Sequence, residues 1–125
     1  MKEKIELEYI LKTSPKVLFP RLSTATGLAE WFADNVTVKN KTQYAFHWDK
    51  SIEEAEQTYI RENVVVKYEW KNKDEKAFFE FRIRIDDLTG EMALIVTDMV
   101  DSDEKDEIID LWDIQINKLK HVLGL

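Results

Sequence analysis

The sequence has no cysteine and only three glycines, two prolines and two histidines among its 125 residues. Without cysteine the chain can form no disulfide, thiol nucleophile or thiolate metal site, and this absence fits a reducing compartment. With so few glycines it offers no glycine-rich loop to cradle a phosphate. His47 and His121 lie far apart and form no metal motif. We therefore expect neither a metal nor a cofactor.

Long apolar runs and an excess of basic charge are also missing. The first ten residues, MKEKIELEYI, alternate charged and apolar side chains, so we expect no signal peptide, no membrane span and a cytoplasmic location. The formal net charge of −7 creates a field that repels nucleic acid, so we expect no nucleic-acid partner. From its size, we expect residues 1–125 to form a single domain.

Apolar residues at helical spacing mark the last stretch, residues 102–125, and predict a long amphipathic helix. We expect Ser102 or Asp101 to cap its N-terminus and Gly124 to end it. Its apolar stripe comprises Ile108, Trp112, Ile116, Leu119 and Val122/Leu123. A helix of this kind is stabilised mainly by packing, so it needs a wide apolar partner.

Two short helices are predicted near the start of the chain. Ser14-Pro15 supplies an N-cap followed by proline at the first helical position. Pro20 is expected to kink or end this helix, because proline lacks the backbone N–H. Thr24 or Thr26 is expected to cap a second helix through residues 27–33.

Alternation of apolar and polar residues predicts strands through most of the remaining chain. The predicted strands cover residues 4–12, 36–38, 44–48, 51–61, 64–71, 79–85 and 92–100. The segment 51–61 is polar and is predicted as a strand, although Glu53-Glu54-Ala55-Glu56 within it would suit a helix equally. A hairpin turn is expected at Asn72-Lys73-Asp74-Glu75. The order predicts an α+β fold, in which a curved antiparallel meander of about six to seven strands wraps around the terminal helix.

Several aromatic motifs accompany this order of elements. They are Leu28-x-x-Trp31-Phe32-Ala33-Asp34, the strand aromatics Trp48 and Tyr68-x-Trp70, and Trp112 with Leu119-Lys120 in the closing helix. Together they resemble the START-like, Bet v 1-like helix-grip superfamily, and within it the Hsp90-activator homology (AHSA1-type) domains. The resemblance implies a sheet that grips the C-terminal helix, often with an apolar cavity for a lipid or other hydrophobic small molecule.

The expected ligand cavity lies between the sheet and the last helix. We expect it to be lined by Trp31 and Phe32 at the mouth, Trp48, Tyr68, Trp70 and Phe81 on the sheet, and Trp112 and Ile116 on the helix. Apolar walls with a phenol and indole N–H groups favour a flat or branched hydrophobic molecule with one or two polar atoms, and disfavour an ionic one. The same aromatics would equally fill a closed core.

We expect no catalytic residue, because no serine sits in a nucleophile elbow. Asp101-x-Asp103-x-x-Asp106 lacks the glycine and the bidentate glutamate of a calcium loop. The function expected is therefore binding of a hydrophobic small molecule or lipid without catalysis. The resemblance leaves two alternatives, an Hsp90 co-chaperone-like protein-interaction module and a small enzyme of the cyclase or hydrolase type. The apolar faces of segments 44–48 and 64–68 also leave a homodimer open.

Overall fold

The structure, a computed structural model, describes residues 2–71 and 77–125. Within these ranges the elements are β1 (Lys2–Ile10), α1 (Pro15–Ser23), α2 (Ala25–Leu28), β2 (Asn35–Lys39), β3 (Gln43–Trp48), β4 (Ser51–Arg61), β5 (Val65–Trp70), β6 (Phe78–Ile85), β7 (Met92–Asp101), a 3-10 turn (Ser102–Glu104) and α3 (Lys105–Val122). This confirms the predicted α+β order, including a strand over the ambiguous segment 51–61. The hairpin turn expected at Asn72–Glu75 lies outside the described residues.

The strands form one antiparallel sheet in the order β1-β7-β6-β5-β4-β3-β2. Strands β2 to β7 are a meander, because each pairs with the next along the chain. Strand β1 pairs with β7 along its whole length, with Lys2 opposite Asp101 and Ile10 opposite Ala93. The sheet curves around α3, which confirms the helix-grip arrangement that the resemblance implied.

The start of α1 follows the prediction, and the helix continues past Pro20. The Ser14 side chain accepts a hydrogen bond from the Val17 amide at 3.3 Å, and Pro15 occupies the first helical position. Pro20 does not end the helix, which continues to Ser23. A proline removes a single N–H donor from the helix, and the buried side chains of α1 hold its last turn against the core.

Helix α2 is shorter than predicted. Thr24 is its N-cap, and the Thr24 hydroxyl accepts from the Gly27 amide at 3.0 Å. The helix ends at Leu28 rather than continuing through Ala33. The amides of residues 31–33 all donate to the Leu28 carbonyl, so the chain turns tightly there instead of adding a helical turn. This turn carries the first two predicted cavity residues.

The core is an aromatic cluster between the concave sheet face and the helices. Its buried rings are Phe19, Trp31, Phe32, Tyr44, Phe46, Tyr68, Phe79, Phe81 and Trp112. Ring centroids of neighbouring pairs in the core lie 4.9 to 6.4 Å apart, the range of favourable aromatic contacts. The strand faces considered above as a possible homodimer interface are buried inside the fold, because Tyr44, Phe46 and Val66 all lie in this core.

The N-terminal end of α3 differs from the prediction. A 3-10 turn precedes the helix, and the N-cap residue Glu104 makes no side-chain capping hydrogen bond. The Ser102 hydroxyl instead donates to the Glu3 carboxylate at 3.1 Å. Asp101 precedes the 3-10 turn without a side-chain capping bond. The expected caps were wrong because β7 runs to Asp101 and carries both residues toward β1.

The C-terminal end of α3 matches the prediction. Gly124 has φ +76°, a left-handed conformation that glycine adopts without steric cost. The Gly124 amide donates to the His121 carbonyl at 3.1 Å, and the Leu125 amide donates to the Lys120 carbonyl at 2.8 Å. These two bonds are the Schellman motif that satisfies the last carbonyls of a helix.

Candidate ligand-binding groove

A cavity of about 630 Å³ lies between α3 and the turn that follows α2. Its lining residues come from that turn, from β3 and β7, and from α3. They are Ala29, Glu30, Trp31, Phe32, Ala33, Asp34, Trp48, Asp98, Ile108, Leu111, Trp112, Ile114, Gln115 and Lys118. Sites of this size and mostly apolar composition are typical of small-molecule binding.

A second cavity, of about 460 Å³, lies beneath the start of α3 and the ends of β4, β5 and β7. It shares four lining residues with the first cavity, namely Trp48, Asp98, Ile108 and Leu111. The two cavities therefore adjoin each other along α3, and together they extend from Glu104 to Lys118. We call them together the helix groove.

The structure divides the eight predicted cavity residues into two sets. Trp31, Phe32, Trp48 and Trp112 line the first cavity, and Trp70 lines the second. Tyr68, Phe81 and Ile116 are buried in the core and are not among the residues that line either cavity of the helix groove. All four tryptophans of the chain thus border the helix groove.

Two exposed apolar side chains form the outer edge of the first cavity. Leu111 and Ile114 are 51% and 54% exposed, although both lie on α3 and border an apolar space. In contrast, Ile116 on the same helix is 1% exposed. Sequence analysis missed Leu111 and Ile114 because they lie beside the main apolar stripe.

Side-chain hydrogen bonds hold α3 over the sheet. They join Tyr9 Oη to Asp113 Oδ1 (2.6 Å), Trp112 Nε1 to Asp98 Oδ2 (2.9 Å) and Gln115 Nε2 to the Phe32 carbonyl (3.0 Å). Burial and the Asp113 carboxylate raise the pKa of Tyr9, so its hydroxyl remains a donor. These bonds fix the height of the helix and therefore the width of the groove.

Most of the tryptophan donors are used within the protein. The bonds run from Trp31 Nε1 to the Arg21 carbonyl (2.8 Å), from Trp48 Nε1 to the Phe32 carbonyl (3.0 Å) and from Trp112 Nε1 to Asp98 (2.9 Å). We expected these indole N–H groups to bind polar atoms of a ligand, but they already donate to acceptors within the protein. Their rings remain as apolar walls.

Asp98 is the polar residue at the centre of the helix groove. It lies opposite Ile5 and Phe79 in the sheet, so its side chain points to the same face as theirs. Its Oδ2 accepts from Trp112 Nε1, and its Oδ1 accepts from the Met99 amide at 2.8 Å. Burial raises the pKa of Asp98, while these two hydrogen bonds and nearby Lys2 oppose the rise.

Sequence analysis predicted residues 92–100 as a strand but did not single out Asp98 within this mostly apolar run. The signal was present, because the polar pair Thr97-Asp98 interrupts that run. A carboxylate on the buried face of a strand is costly unless it is hydrogen-bonded or used. Such an interruption therefore marks a residue to inspect.

The other polar network of the interior lies under α1, away from the groove. The Tyr68 hydroxyl donates to the Leu22 carbonyl at 2.7 Å, and the Tyr44 hydroxyl donates to the Ser23 carbonyl at 3.1 Å. Gln57 Nε2 lies 3.2 Å from both hydroxyls. Burial raises the pKa of Tyr68. The network satisfies the last carbonyls of α1, so its role is structural.

Residues 2–71 and 77–125 contain no group of three or more histidine, cysteine, aspartate or glutamate side chains placed to hold a metal ion. Across the same ranges, no helix has the length and apolar character needed to cross a membrane.

Comparisons with known proteins agree with the architecture. The sequence matches the profile of the START-like superfamily domain over residues 1–125. The solution structure of BfR322 from Bacteroides fragilis is 35% identical, with a TM-score of 0.68, and the match covers 99% of this chain and 93% of that chain. No protein with a curated description matches the chain significantly.

More distant structures share the fold. The Aha1 dimer from Colwellia psychrerythraea is 15% identical with a TM-score of 0.78, over 94% of this chain and 93% of that chain. MLL2253 from Mesorhizobium loti is 14% identical with a TM-score of 0.79, over 98% of this chain and 97% of that chain. Identities this low show the fold alone. The profile match over the whole chain and the similarity to BfR322 show more: the chain belongs to the START-like superfamily.

Proposed function

We propose that residues 1–125 act as one binding domain for an apolar small molecule, which the helix groove holds between α3 and the sheet. The observation that carries this proposal is the first cavity, about 630 Å³ in volume and walled by Trp31, Trp48 and Trp112. Its size and its aromatic walls suit a compact organic ligand.

The exposed residues at the edge of the cavity support the same function. Leu111 and Ile114 are half exposed, and a ligand seated in the cavity would remove part of their apolar surface from water. Burial of apolar area contributes roughly 25 cal/mol per Å² to a binding free energy. Exposed apolar side chains that border a concave site are typical of ligand-binding grooves.

Asp98 by itself does not support an enzyme. Its hydrogen-bond partners are an indole and a backbone amide, neither of which transfers a proton at ordinary pH. General acid–base catalysis would need a second titratable group in contact with Asp98, and these two partners do not supply one. Similarity to the Aha1 dimer at 15% identity shows the fold alone, so it does not favour a co-chaperone role over ligand binding.

The proposal is tested first with the protein as purified. Native mass spectrometry should reveal a co-purified small molecule, and thermal shift should then identify ligands among fatty acids, sterols, flavonoids and isoprenoids. A ligand present at about 100 times its Kd stabilises the folded state by about 2.7 kcal/mol. Absence of any stabilising compound, together with an empty protein in the mass spectrum, would contradict the proposal.

A variant at the edge of the cavity locates the site. Leu111→Lys places a positive charge where the ligand is expected to contact α3, and the half-exposed position allows the fold to persist. We expect the ligand-induced thermal shift to fall strongly in this variant. Leu88→Lys is the matched control, because Leu88 is 96% exposed and borders neither cavity of the groove. Equal ligand-induced thermal shifts in the two variants would show that the ligand binds elsewhere on the protein.

A further inference from the structure

Carboxylates outnumber basic side chains along the helix groove. The acidic lining residues are Glu30, Asp34, Glu53, Asp98, Asp101 and Glu104, and the basic ones are Lys2 and Lys118. Two of these carboxylates form ion pairs: Lys2 Nζ lies 3.8 Å from Asp101 Oδ2, and Arg21 Nε lies 3.3 Å from Glu30 Oε2. The residues that line the groove therefore carry a net negative charge, within a chain whose own net charge is −7. Such a field attracts cations and repels anions.

Asp98 is the inner member of this acidic set. It is partly buried, whereas Glu30 and Asp34 lie at the turn after α2, near the mouth of the first cavity. Both of its oxygens accept N–H donors, which is the pattern of an ionised carboxylate, because a protonated carboxyl would present one donor. A carboxylate oxygen has more than one acceptor site, so Asp98 can accept further donors from within the groove.

The walls around Asp98 also suit a cation. Trp48 borders both cavities together with Asp98, while Trp112 donates to it and Trp70 lines the second cavity. The face of an indole ring attracts a positive charge within about 6 Å of its centre, and the attraction increases when water is excluded. Three of the four indole N–H groups are already hydrogen-bonded inside the protein. The groove thus offers acceptors and aromatic faces to a ligand.

We infer that the ligand of the helix groove is an apolar molecule with a positively charged amine, which donates to the Asp98 carboxylate while its apolar part contacts the tryptophan rings. This inference rests on the proposed function and specifies its ligand class. It differs from the expectation drawn from sequence, which took indole and phenol groups as the polar contacts and disfavoured an ionic ligand. A charged donor and a partly buried carboxylate form the strongest class of hydrogen bond.

Three probes of one shape test the inference. They are 4-tert-butylbenzylamine, 4-tert-butylbenzyl alcohol and 4-tert-butylbenzoate, which are cationic, neutral and anionic near pH 7. Binding is followed by tryptophan fluorescence, since all four tryptophans border the groove. We expect the amine to bind at least about 10-fold more tightly than the alcohol, because a hydrogen bond to a charged group contributes about 1.5–3 kcal/mol, and we expect the benzoate to bind weakest.

Two variants separate the role of Asp98 from general attraction to an acidic protein. In Asp98→Asn, we expect the ratio of amine to alcohol affinity to fall to about one, because a charge-assisted hydrogen bond is lost. Asp110→Asn removes the same charge from an exposed position of α3 outside the groove, and there we expect the ratio to persist. If Asp98→Asn does not fold, the ratio in the native chain still tests the amine preference, and Asp110→Asn still tests whether that preference reflects net charge.

The outcomes distinguish the inference from the function on which it rests. If the alcohol and the benzoate bind as tightly as the amine, the groove binds apolar molecules but the amine preference is wrong. If Asp110→Asn reduces the preference as much as Asp98→Asn does, the preference reflects net charge and the assignment to Asp98 is wrong. If no probe gives a saturable change in fluorescence, both the inference and the proposed function are contradicted.

Discussion

The two halves of α3 carry one continuous apolar stripe but meet the sheet differently. In the C-terminal half, Ile116 and Leu119 are fully buried in the hydrophobic core. In the N-terminal half, Ile108 is partly buried and, together with Leu111, borders both cavities. The sheet face beneath the N-terminal half carries Asp98, where the strand pattern elsewhere places an apolar residue. The comparison teaches that the apolar stripe determines which side of the helix faces the sheet. How closely the helix packs on the sheet is determined by the sheet residues that lie opposite the stripe.

The largest loss of stability is expected from a change in the aromatic core. Phe81 is fully buried and its ring contacts those of Trp31, Tyr68, Phe79 and Trp112. Phe81→Ala should lower the free energy of unfolding by about 3–5 kcal/mol, because it leaves a cavity that rigid neighbours cannot fill. Urea melts measure the change.

An exposed position provides the control for this experiment. Leu88→Ala alters a side chain that is 96% exposed, so stability should change by less than about 0.5 kcal/mol. If the melts of Phe81→Ala and the wild type nearly coincide, the aromatic core is not packed as described.

A second pair of variants compares the halves of α3 directly. Ile116→Ala should cost about 2–4 kcal/mol, because Ile116 is 1% exposed and sits in the core. Ile108→Ala should cost about 1 kcal/mol or less, since this side chain is only partly buried beside existing space. Equal losses of unfolding free energy in denaturant melts would show that the two halves of α3 pack equally closely on the sheet, which would contradict the comparison.

Tyr68→Phe is expected to have an intermediate effect. It deletes the hydroxyl that donates to the Leu22 carbonyl at 2.7 Å and contacts Gln57, and an unsatisfied buried polar group costs about 1–3 kcal/mol. Thermal melts should show the loss, whereas Tyr59→Phe, at a half-exposed tyrosine, should leave the melting temperature nearly unchanged. A similar loss in both variants would mean that the network under α1 contributes nothing specific.

The smallest expected effect is a pH-dependent change in stability that arises from Asp98 in the helix groove. Burial raises the pKa of Asp98 above its ordinary value of 3.8, so as pH falls the folded state takes up this proton before the unfolded state does. Asp98 therefore adds stability to the folded state as pH falls through its folded pKa, and the gain is complete below the ordinary value. At neutral pH this contribution is absent.

The measurement is the difference in free energy of unfolding between the wild type and Asp98→Asn, followed from pH 7 to pH 3.5. We expect the wild type to gain stability relative to the variant as pH falls, because the other titrating groups are common to both chains. A difference that stays constant, or that moves against the wild type at low pH, would show that burial does not perturb Asp98.

Much of the fold follows from patterns within the sequence. The strands over 64–71 and 79–85 and the stripe of α3 were predicted because alternation and helical spacing are local properties. Gly124 was predicted for the same reason, since a helix stop depends on backbone conformation at one residue. The caps at Ser102 and Asp101 were not, because their side chains are placed by a long-range pairing of β7 with β1.

The candidate site was less accessible to sequence analysis. The aromatic residues are of one chemical type, and alternation does not distinguish Trp48, which lines the groove, from Phe81, which fills the core. That distinction depends on how high α3 sits above each strand. Asp98 was overlooked because the surrounding run is apolar, although a single carboxylate in such a run is the feature that gives the groove its polarity.

Nuclear magnetic resonance of the isotope-labelled protein tests the central claim most directly. On titration with 4-tert-butylbenzylamine or the matching alcohol, the indole N–H signals of Trp48 and Trp112 should shift and saturate, because both rings line the groove. The backbone amide signals of Phe81 and Ile116, in the closed core, should change little. Shifts confined to the core residues, or no saturable shift with either compound, would contradict a ligand-binding groove beneath the N-terminal half of α3.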